Sequence, residues 1–176
     1  SQELAAALTE ANRATTAAAP EVKISPELYR VLCHLAEVAT FVDVNEPQVL
    51  ARREAVDTVL RRVTDRGEQL AQINAQATEL LQAAPGSPQG IILAGQVVGS
   101  TTSGPWHLMR VQLLATAQMP SVTLISTGRI PLQPGTSRLF VGSVIPHPQQ
   151  ALAGYTLEDS PVVWAGMWLA MAADAS

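Results

Sequence analysis

The chain has 176 residues, of which 47% are hydrophobic and 15% are charged, and its formal net charge at pH 7 is −4. This length and composition suit one ordinary domain with a buried core and exclude a wholly disordered chain. The single cysteine, Cys33, excludes an intramolecular disulfide framework. The weak acidity argues against a dedicated nucleic-acid-binding protein, which normally carries a basic excess.

The composition changes near residue 85. Residues 1–84 are rich in Ala, Leu, Glu, Gln and Arg and contain one glycine, whereas residues 87–176 contain three acidic residues, three basic residues and no lysine. Between these parts, the prolines and glycines at 85–90 would end a helix and permit a turn. We therefore predict an α+β chain with a helical oligomerisation region at 1–84, a linker at 85–90 and an antiparallel β domain at 91–176.

Three helices are predicted in the first part. The first covers about residues 2–18. The second begins at Ser25, whose hydroxyl can cap a helix that starts with Pro26. The third follows Asn45 and extends to about residue 82, so that it would be roughly 55 Å long at 1.5 Å per residue. The apolar face of the second helix is formed by Leu28, Leu32, Leu35, Ala39 and Val42.

The third predicted helix carries a seven-residue repeat that is typical of a coiled coil. Counted from Val56, seven of the eight a and d positions are apolar, and the exception, Arg66, precedes Gly67 and marks a local flaw. A narrow seam along a long helix indicates packing against another helix. We interpret it as the interface of a homo-oligomer, with a trimer favoured, and a hairpin with the second helix is the alternative. The predicted interface residues are Val56, Val59, Val63, Leu70, Ile73 and Leu80.

The β domain is predicted to contain about five strands. Turn signals about every dozen residues indicate a small antiparallel barrel or sandwich, and an OB-type barrel and a jelly-roll-like sandwich both fit. The strands are placed near 91–99, 106–117, 121–130, 138–145 and 162–171. The last of these is too short to span a membrane and is apolar enough to be buried on both faces. No signal peptide is predicted, since no basic segment precedes an apolar one near residue 1, and a virion or cytoplasmic location fits.

The low charge of the β domain is itself informative. Its polar positions are mainly Ser, Thr and Gln, although free sheet edges are usually protected by lysine. Because uncharged hydroxyl and amide groups cost less to desolvate than ions, we interpret this surface as packing against other subunits. A compositional depletion of lysine is the alternative, but it does not explain the scarcity of Arg, Asp and Glu.

Catalytic and metal-binding signatures are missing from the sequence. The three histidines, His34, His107 and His147, lack metal-ligand spacing, and Cys33 is predicted to be a small buried apolar residue. Serine, histidine and acidic residues are present, but no serine lies in the G-x-S-x-G turn that presents a catalytic nucleophile. The sequence also lacks the glycine and lysine spacing of a phosphate-binding loop. We therefore predict no enzyme activity, no metal and no cofactor.

Three tryptophans, Trp106, Trp164 and Trp168, are candidate ligand-binding residues. Trp164 and Trp168 are four apart on a predicted strand, which would place them on the same face about 13 Å apart. Such a row could stack sugars or bases, and burial in the core is the favoured alternative. With only three cations in the domain, nucleic acid is disfavoured, because phosphate contacts dominate its affinity.

These features predict a non-enzymatic structural or assembly protein. It would form a homo-oligomer through the long helix and use the β domain as a docking or receptor-facing module. By analogy of architecture, this is the arrangement of virion fibres, decoration proteins and surface appendages. The alternative is a β-barrel binding module for a carbohydrate or single-stranded nucleic acid.

Overall fold

The computed structural model describes residues 24–36, 47–61, 67–83, 86, 89–103, 106–115, 121–127, 132–146 and 161–170. Within these residues three helices precede five strands, which confirms the α+β class. The helices are α1 (Pro26–Ala36), α2 (Pro47–Leu60) and α3 (Gly67–Gln82). The strands are β1 (Gln89–Ser103), β2 (Trp106–Leu113), β3 (Val122–Thr127), β4 (Ser137–Val144) and β5 (Val162–Ala170). The predicted helix at 2–18 lies outside the described residues.

The five strands close into a barrel in the order β1-β2-β3-β5-β4. Because the sheet closes on itself, the fold is the small barrel, which is one of the two architectures predicted from the sequence, and not the two-sheet sandwich. The prediction of an entirely antiparallel barrel is wrong, because β3 and β5 pair in parallel. A closed ring with an odd number of strands cannot alternate in direction all the way round, so one neighbouring pair must be parallel.

Strand β1 is longer than predicted and pairs with two neighbours. Its first half, from Gln89 to Gln96, pairs with β4, and its second half, from Gly95 to Ser103, pairs with β2. Residues 100–103, which lie between the two strands predicted near 91–99 and 106–117, therefore belong to β1. A β-bulge at Val98 interrupts the pairing with β2, which allows the strand to bend from one neighbour to the other.

The interior of the barrel is a continuous apolar core that α3 closes at one end. Buried side chains from all five strands form this core, and Ala77 and Leu81 of α3 belong to the same cluster. The strands contribute Ile91, Leu93, Val97, Met109, Val111, Leu113, Val122, Leu124, Phe140, Val144, Val163 and Ala165.

A second core lies between the helices and the outer surface of β1, β4 and β5. On the strands it contains Ile92, Ala94, Leu139, Val141 and Met167. On the helices it contains Ile24, Leu28, Tyr29, Leu32, Cys33, Leu35, Val56, Val59, Leu60 and Ile73. Helices and barrel are therefore packed together through a shared apolar layer.

The start of α1 follows the sequence prediction. The Ser25 hydroxyl accepts a hydrogen bond from the N–H of Leu28 at 3.1 Å, and the Ser25 carbonyl accepts one from Tyr29 at 2.9 Å. Leu28, Leu32 and Leu35 are buried, as expected for the apolar face of this helix. The remaining predicted face residues, Ala39 and Val42, lie outside the described residues.

In place of the long helix predicted from Asn45 to residue 82, the described residues form two shorter helices. Helix α2 ends at Leu60, Arg61 lies in a turn, and α3 begins separately at Gly67. The flaw in the repeat at Arg66-Gly67 coincides with the start of α3. The two helices also have different packing partners, since α2 lies against α1 whereas α3 lies against β1.

Two helical side chains complete the hydrogen bonding of β1 where β2 does not reach. The Tyr29 hydroxyl donates to the Ile92 carbonyl at 2.8 Å and accepts from the Ile92 N–H at 3.2 Å. The Asn74 amide donates to the carbonyls of Ala94 at 2.8 Å and Leu114 at 2.6 Å, and its Oδ1 accepts from the Ala94 N–H at 2.8 Å. Both side chains are buried. They therefore take the place of a neighbouring strand along this edge.

Burial makes the Tyr29 phenol more difficult to ionise. Desolvation, followed by the influence of Cys33, raises the pKa of the Tyr29 phenol well above its ordinary value of 10.0, although the hydrogen bond to Ile92 lowers it. The phenol therefore stays protonated to a higher pH than that of an exposed tyrosine, and in this form it can donate its proton to the Ile92 carbonyl.

Substitution of Asn74 by Ala should strongly destabilise the fold. It leaves the buried Ala94 N–H and the partly buried Leu114 carbonyl without their partner, and the Ala94 carbonyl keeps only the N–H of Leu114. We expect the free energy of unfolding to fall by about 3 kcal/mol. Urea denaturation followed by circular dichroism measures this loss. The matched control is Glu79→Ala, at an exposed position of the same helix, which should change the stability by less than about 0.5 kcal/mol. Equal effects of the two substitutions would contradict the role assigned to Asn74.

Candidate functional site

The candidate site is the surface of β2, β3 and β5 that points away from the barrel interior, which we call the outer face. The register aligns Thr101 of β1 with Leu108 of β2, Leu108 with Ile125 of β3, and Ile125 with Trp164 of β5. Because cross-strand neighbours point to the same side of a sheet, these four residues form one row across four strands. The row runs along the barrel wall outside the interior core.

An apolar cluster separate from both cores lies on this row. Ile125 and Val162 are buried at 1% exposure each, and the partly buried Leu108, Ile145 and Trp164 pack against them. The cluster holds the indole of Trp164 against the barrel wall and leaves part of it accessible. Trp164 is therefore a positioned aromatic side chain on the outside of the barrel.

Polar but mostly uncharged residues border the apolar row. Arg110 of β2 pairs with Thr123 of β3, which in turn pairs with Val162 of β5, to form the next row. Arg110 and Thr101 are exposed and Thr123 is partly buried. None of the residues that the structure describes between 89 and 170 is Asp or Glu, and the acidic pair at 158–159 lies outside them. The outer face thus combines one tryptophan, one arginine and hydroxyl groups with almost no formal charge.

A small polar group lies on the inner side of the same strands, near the β1–β2 hairpin. Thr102 Oγ1 and His107 Nδ1 are 3.4 Å apart, and His107 is aligned with Ser126 of β3. Ser126 is 1% exposed, and its hydroxyl has no hydrogen-bond partner in the part of the chain that the structure describes. Among the described residues, no carboxylate accompanies this serine and histidine.

The predicted tryptophan row does not form. Trp164 lies on the outer face, whereas Trp168 packs against the interior core with its ring edge-to-face with Phe140, at a centroid distance of 6.0 Å. The prediction that both lie on one face is wrong because Gly166 is an extra residue in β5: Val141 pairs with Met167, but Gly142 pairs with Ala165. The bulge reverses the alternation of side chains. Trp106 begins β2, and its side chain lies outside the described residues.

The predicted oligomer seam lies largely inside the chain. Val56, Val59 and Ile73 are 1%, 3% and 1% exposed and belong to the core between helices and barrel. Leu70 packs against the same core and Leu80 against the barrel interior, both partly buried. The remaining seam residue, Val63, lies outside the described residues. The apolar repeat is thus explained in large part by contacts within one chain.

Cys33 is buried beside Tyr29, as expected of a small apolar residue. Among the described residues, no group of three His, Cys, Asp or Glu side chains is placed to hold a metal ion. His147 and the acidic pair at 158–159 lie outside them. In the same part of the chain, no helix has both the length and the apolar character needed to cross a membrane.

Sequence reasoning missed Leu108, Ile125 and Arg110 as members of the site. The alternation in β2, where Met109, Val111 and Leu113 face inward, could have placed Leu108 and Arg110 on the outside. Pairing with Ile125 and Trp164 depends on the strand order, which is not contained in that alternation. Comparison with known protein families finds no family that matches the chain, and comparison with curated protein sequences finds no match either.

The position of Trp164 should depend on Gly142, which lies opposite the bulge. A Cβ atom at residue 142 would collide with the backbone carbonyl of Trp164, which cannot move without disturbing β5. We expect Gly142→Ala to lower the free energy of unfolding by about 3 kcal/mol and to shift the tryptophan emission.

The matched control is Gly99→Ala, since a Cβ atom at residue 99 would meet nothing within 4 Å. Chemical denaturation and emission spectra of both variants test the assignment. A Gly142→Ala variant as stable as Gly99→Ala would show that the two strands do not approach as closely as described.

Proposed function

We propose that the chain is a non-enzymatic assembly protein that docks onto copies of itself through the outer face of its barrel. The observation that carries the proposal is the composition of that face, with Trp164 and Arg110 among hydroxyl groups. Buried centres of protein interfaces are enriched in aromatic residues and arginine and depleted in Lys, Glu and Asp. This surface has the same bias, and apart from Arg110 its polar groups are hydroxyls, which cost less to desolvate than ions.

The burial of the helical repeat supports a barrel-based contact over a helix-based one. Val56, Val59 and Ile73 would have to leave the core of their own chain before they could pair with another helix. Exposing buried valine and isoleucine side chains to water costs about 1.5–3 kcal/mol each. An assembly contact is therefore better placed on the barrel than on the seam that the sequence suggested.

The chemistry of the polar groups supports a role without catalysis. His107 and Ser126 are neighbours, but the described barrel residues supply no acid to orient the imidazole and no metal-ligand cluster. General acid–base catalysis needs groups with matched pKa values within hydrogen-bond reach of one another. Binding is the role that these residues suit better.

A second candidate function is the recognition of a carbohydrate or single-stranded nucleic acid. It is favoured by Trp164, an aromatic side chain on the outside of a closed five-stranded barrel, since OB-type barrels bind oligosaccharides and oligonucleotides on this side. Arg110 and Arg138 are the only arginines of the described barrel residues. With so few cations, a sugar polymer is the better ligand of the two.

Light scattering coupled to size exclusion tests the proposal. The native chain should have a molar mass that is a multiple of 18.6 kDa, and Arg110→Glu should lower it by placing a negative charge in the docking surface. Arg30→Glu makes the same change of charge on the exposed surface of α1 and should leave the mass unchanged. Arg30 contributes only an exposed ion pair with Glu27, which is worth little.

A native chain that stays at 18.6 kDa at high concentration would contradict self-docking. If such a monomer changed its tryptophan fluorescence when oligosaccharides were added, the second candidate function would replace the first.

A further inference from the structure

The end of β1 next to the hairpin has an edge that no described strand covers. Strand β4 pairs with β1 only as far as Gln96, and the backbone of Val97 is bonded to the loop before β4, through Gly135 and Thr136 at 2.7 and 2.8 Å. Beyond the bulge, Ser100 to Ser103 pair with β2 alone. Among the described residues, Ser100 to Ser103 therefore form an edge of the sheet.

The register shows which backbone groups this edge presents. Leu114 donates its N–H to Ala94, and Val97 is directed toward the β4 side. Because Val98 is an extra residue at the bulge, the alternation shifts by one position after it, and the N–H and C=O groups of Thr101 are directed toward β2. Since successive residues of a strand direct their N–H and C=O groups to opposite edges, Ser100 and Thr102 direct theirs away from β2. Ser100, Thr101 and Thr102 are all exposed.

This edge lacks the charged residues and the proline that often prevent an edge strand from pairing with another chain. Natural edge strands carry lysine, proline or inward-pointing charges, and Ser100–Ser103 contains none of these. The bulge at Val98 precedes the segment and does not interrupt it. Val98 itself, which is 45% exposed, is an accessible large apolar side chain at the inner end of the same edge.

We propose that this edge pairs antiparallel with the same edge of a second copy of the chain, around a two-fold axis at Thr101. In this register Thr101 of one copy faces Thr101 of the other, and Ser100 faces Thr102. The two copies would exchange about four backbone hydrogen bonds. Thr101 belongs to the row of the outer face, so the pairing joins the outer faces of both copies into one continuous sheet.

The chemistry of the segment favours a second copy over an unrelated strand. Around a two-fold axis at Thr101, each residue meets itself or another residue of the same short segment. A segment with charges of one sign would therefore repel its own copy, and Ser100–Ser103 carries no charge. In the register centred on Thr101, Ser100 faces Thr102 and Gly99 faces Ser103. Antiparallel self-pairing therefore places hydroxyl residues opposite hydroxyl residues or glycine, and Thr–Thr and Thr–Ser pairs stabilise antiparallel sheets.

Disulfide cross-linking of Thr101→Cys tests this register directly. Residues that face each other in a non-hydrogen-bonded antiparallel pair have Cα atoms about 4.5 Å apart, which a disulfide can bridge. We expect a covalent dimer to form at least tenfold faster under mild oxidation than for Gln112→Cys, a control at an exposed position of β2. Cys33 is buried and is common to both variants.

Thr101→Lys supplies an independent measurement that needs no oxidation. It places two like charges on the axis and should weaken the dimer at least tenfold in sedimentation, whereas Gln112→Lys should not. Cross-linking of Thr101→Cys no faster than the control, or an unchanged dimer in Thr101→Lys, would overturn the two-fold contact.

The edge contact rests on the proposed function in one respect, since both assume that the partner is a second copy of the chain. The two proposals can nevertheless be tested separately. Cross-linking is measured both in the native background and with Arg110→Glu. Rapid cross-linking in both backgrounds supports the edge contact whatever the outer face does. Slow cross-linking in a chain that still assembles, and that Arg110→Glu dissociates, overturns the edge contact and leaves the proposed function intact.

Discussion

The hydrogen bonds of Tyr29 and Asn74 to β1 are the interactions on which the rest of the structure depends. The first half of β1 has β4 on one side only, and on the other side two helical side chains satisfy the backbone groups of Ile92 and Ala94. An unsatisfied buried backbone group costs about 1–3 kcal/mol, so the strand could not be buried there without them. The barrel therefore needs the helices, although the sequence divides the two by composition.

This dependence divides the outside of the barrel into two regions. The helices lie on the outer surface of β1, β4 and β5, where Tyr29 and Asn74 reach the strand edge, and they bury the apolar repeat of α2 and α3 there. The surface of β2 and β3 and the first part of β5 has its own cluster around Ile125 and Trp164. The length of β1 exceeds that of either neighbour, so no strand among the described residues pairs with its last residues on the side away from β2.

Local chemistry allowed several features to be predicted from the sequence. The hydroxyl of Ser25 caps α1, Cys33 is buried, and five strands lie close to their expected positions. Each of these depends on residues near one another in the chain. The seam from Val56 to Leu80 was recognised as apolar, but a periodic apolar stripe has the same pattern whether it meets another chain or the barrel of its own.

The features that sequence reasoning missed depend on contacts between distant residues. The parallel pairing of β3 with β5 follows from closure, which no single strand reveals. The bulge at Gly166 reverses the faces of Trp164 and Trp168, and a glycine within an apolar strand indicates such a bulge only weakly. Asn74 looked like one more polar residue outside the seam, because its partners Ala94 and Leu114 lie 20 and 40 residues away.

Hydrogen exchange of the Ile92 and Ala94 amides is the most direct measurement of whether helices and barrel form one folding unit. If Tyr29 and Asn74 hold these amides as described, both should exchange only on global unfolding, as slowly as amides in the middle of the β2–β3 ladder. Exchange of Ile92 and Ala94 at the fast rate expected for the uncovered edge at Ser100 and Thr102 would contradict the account.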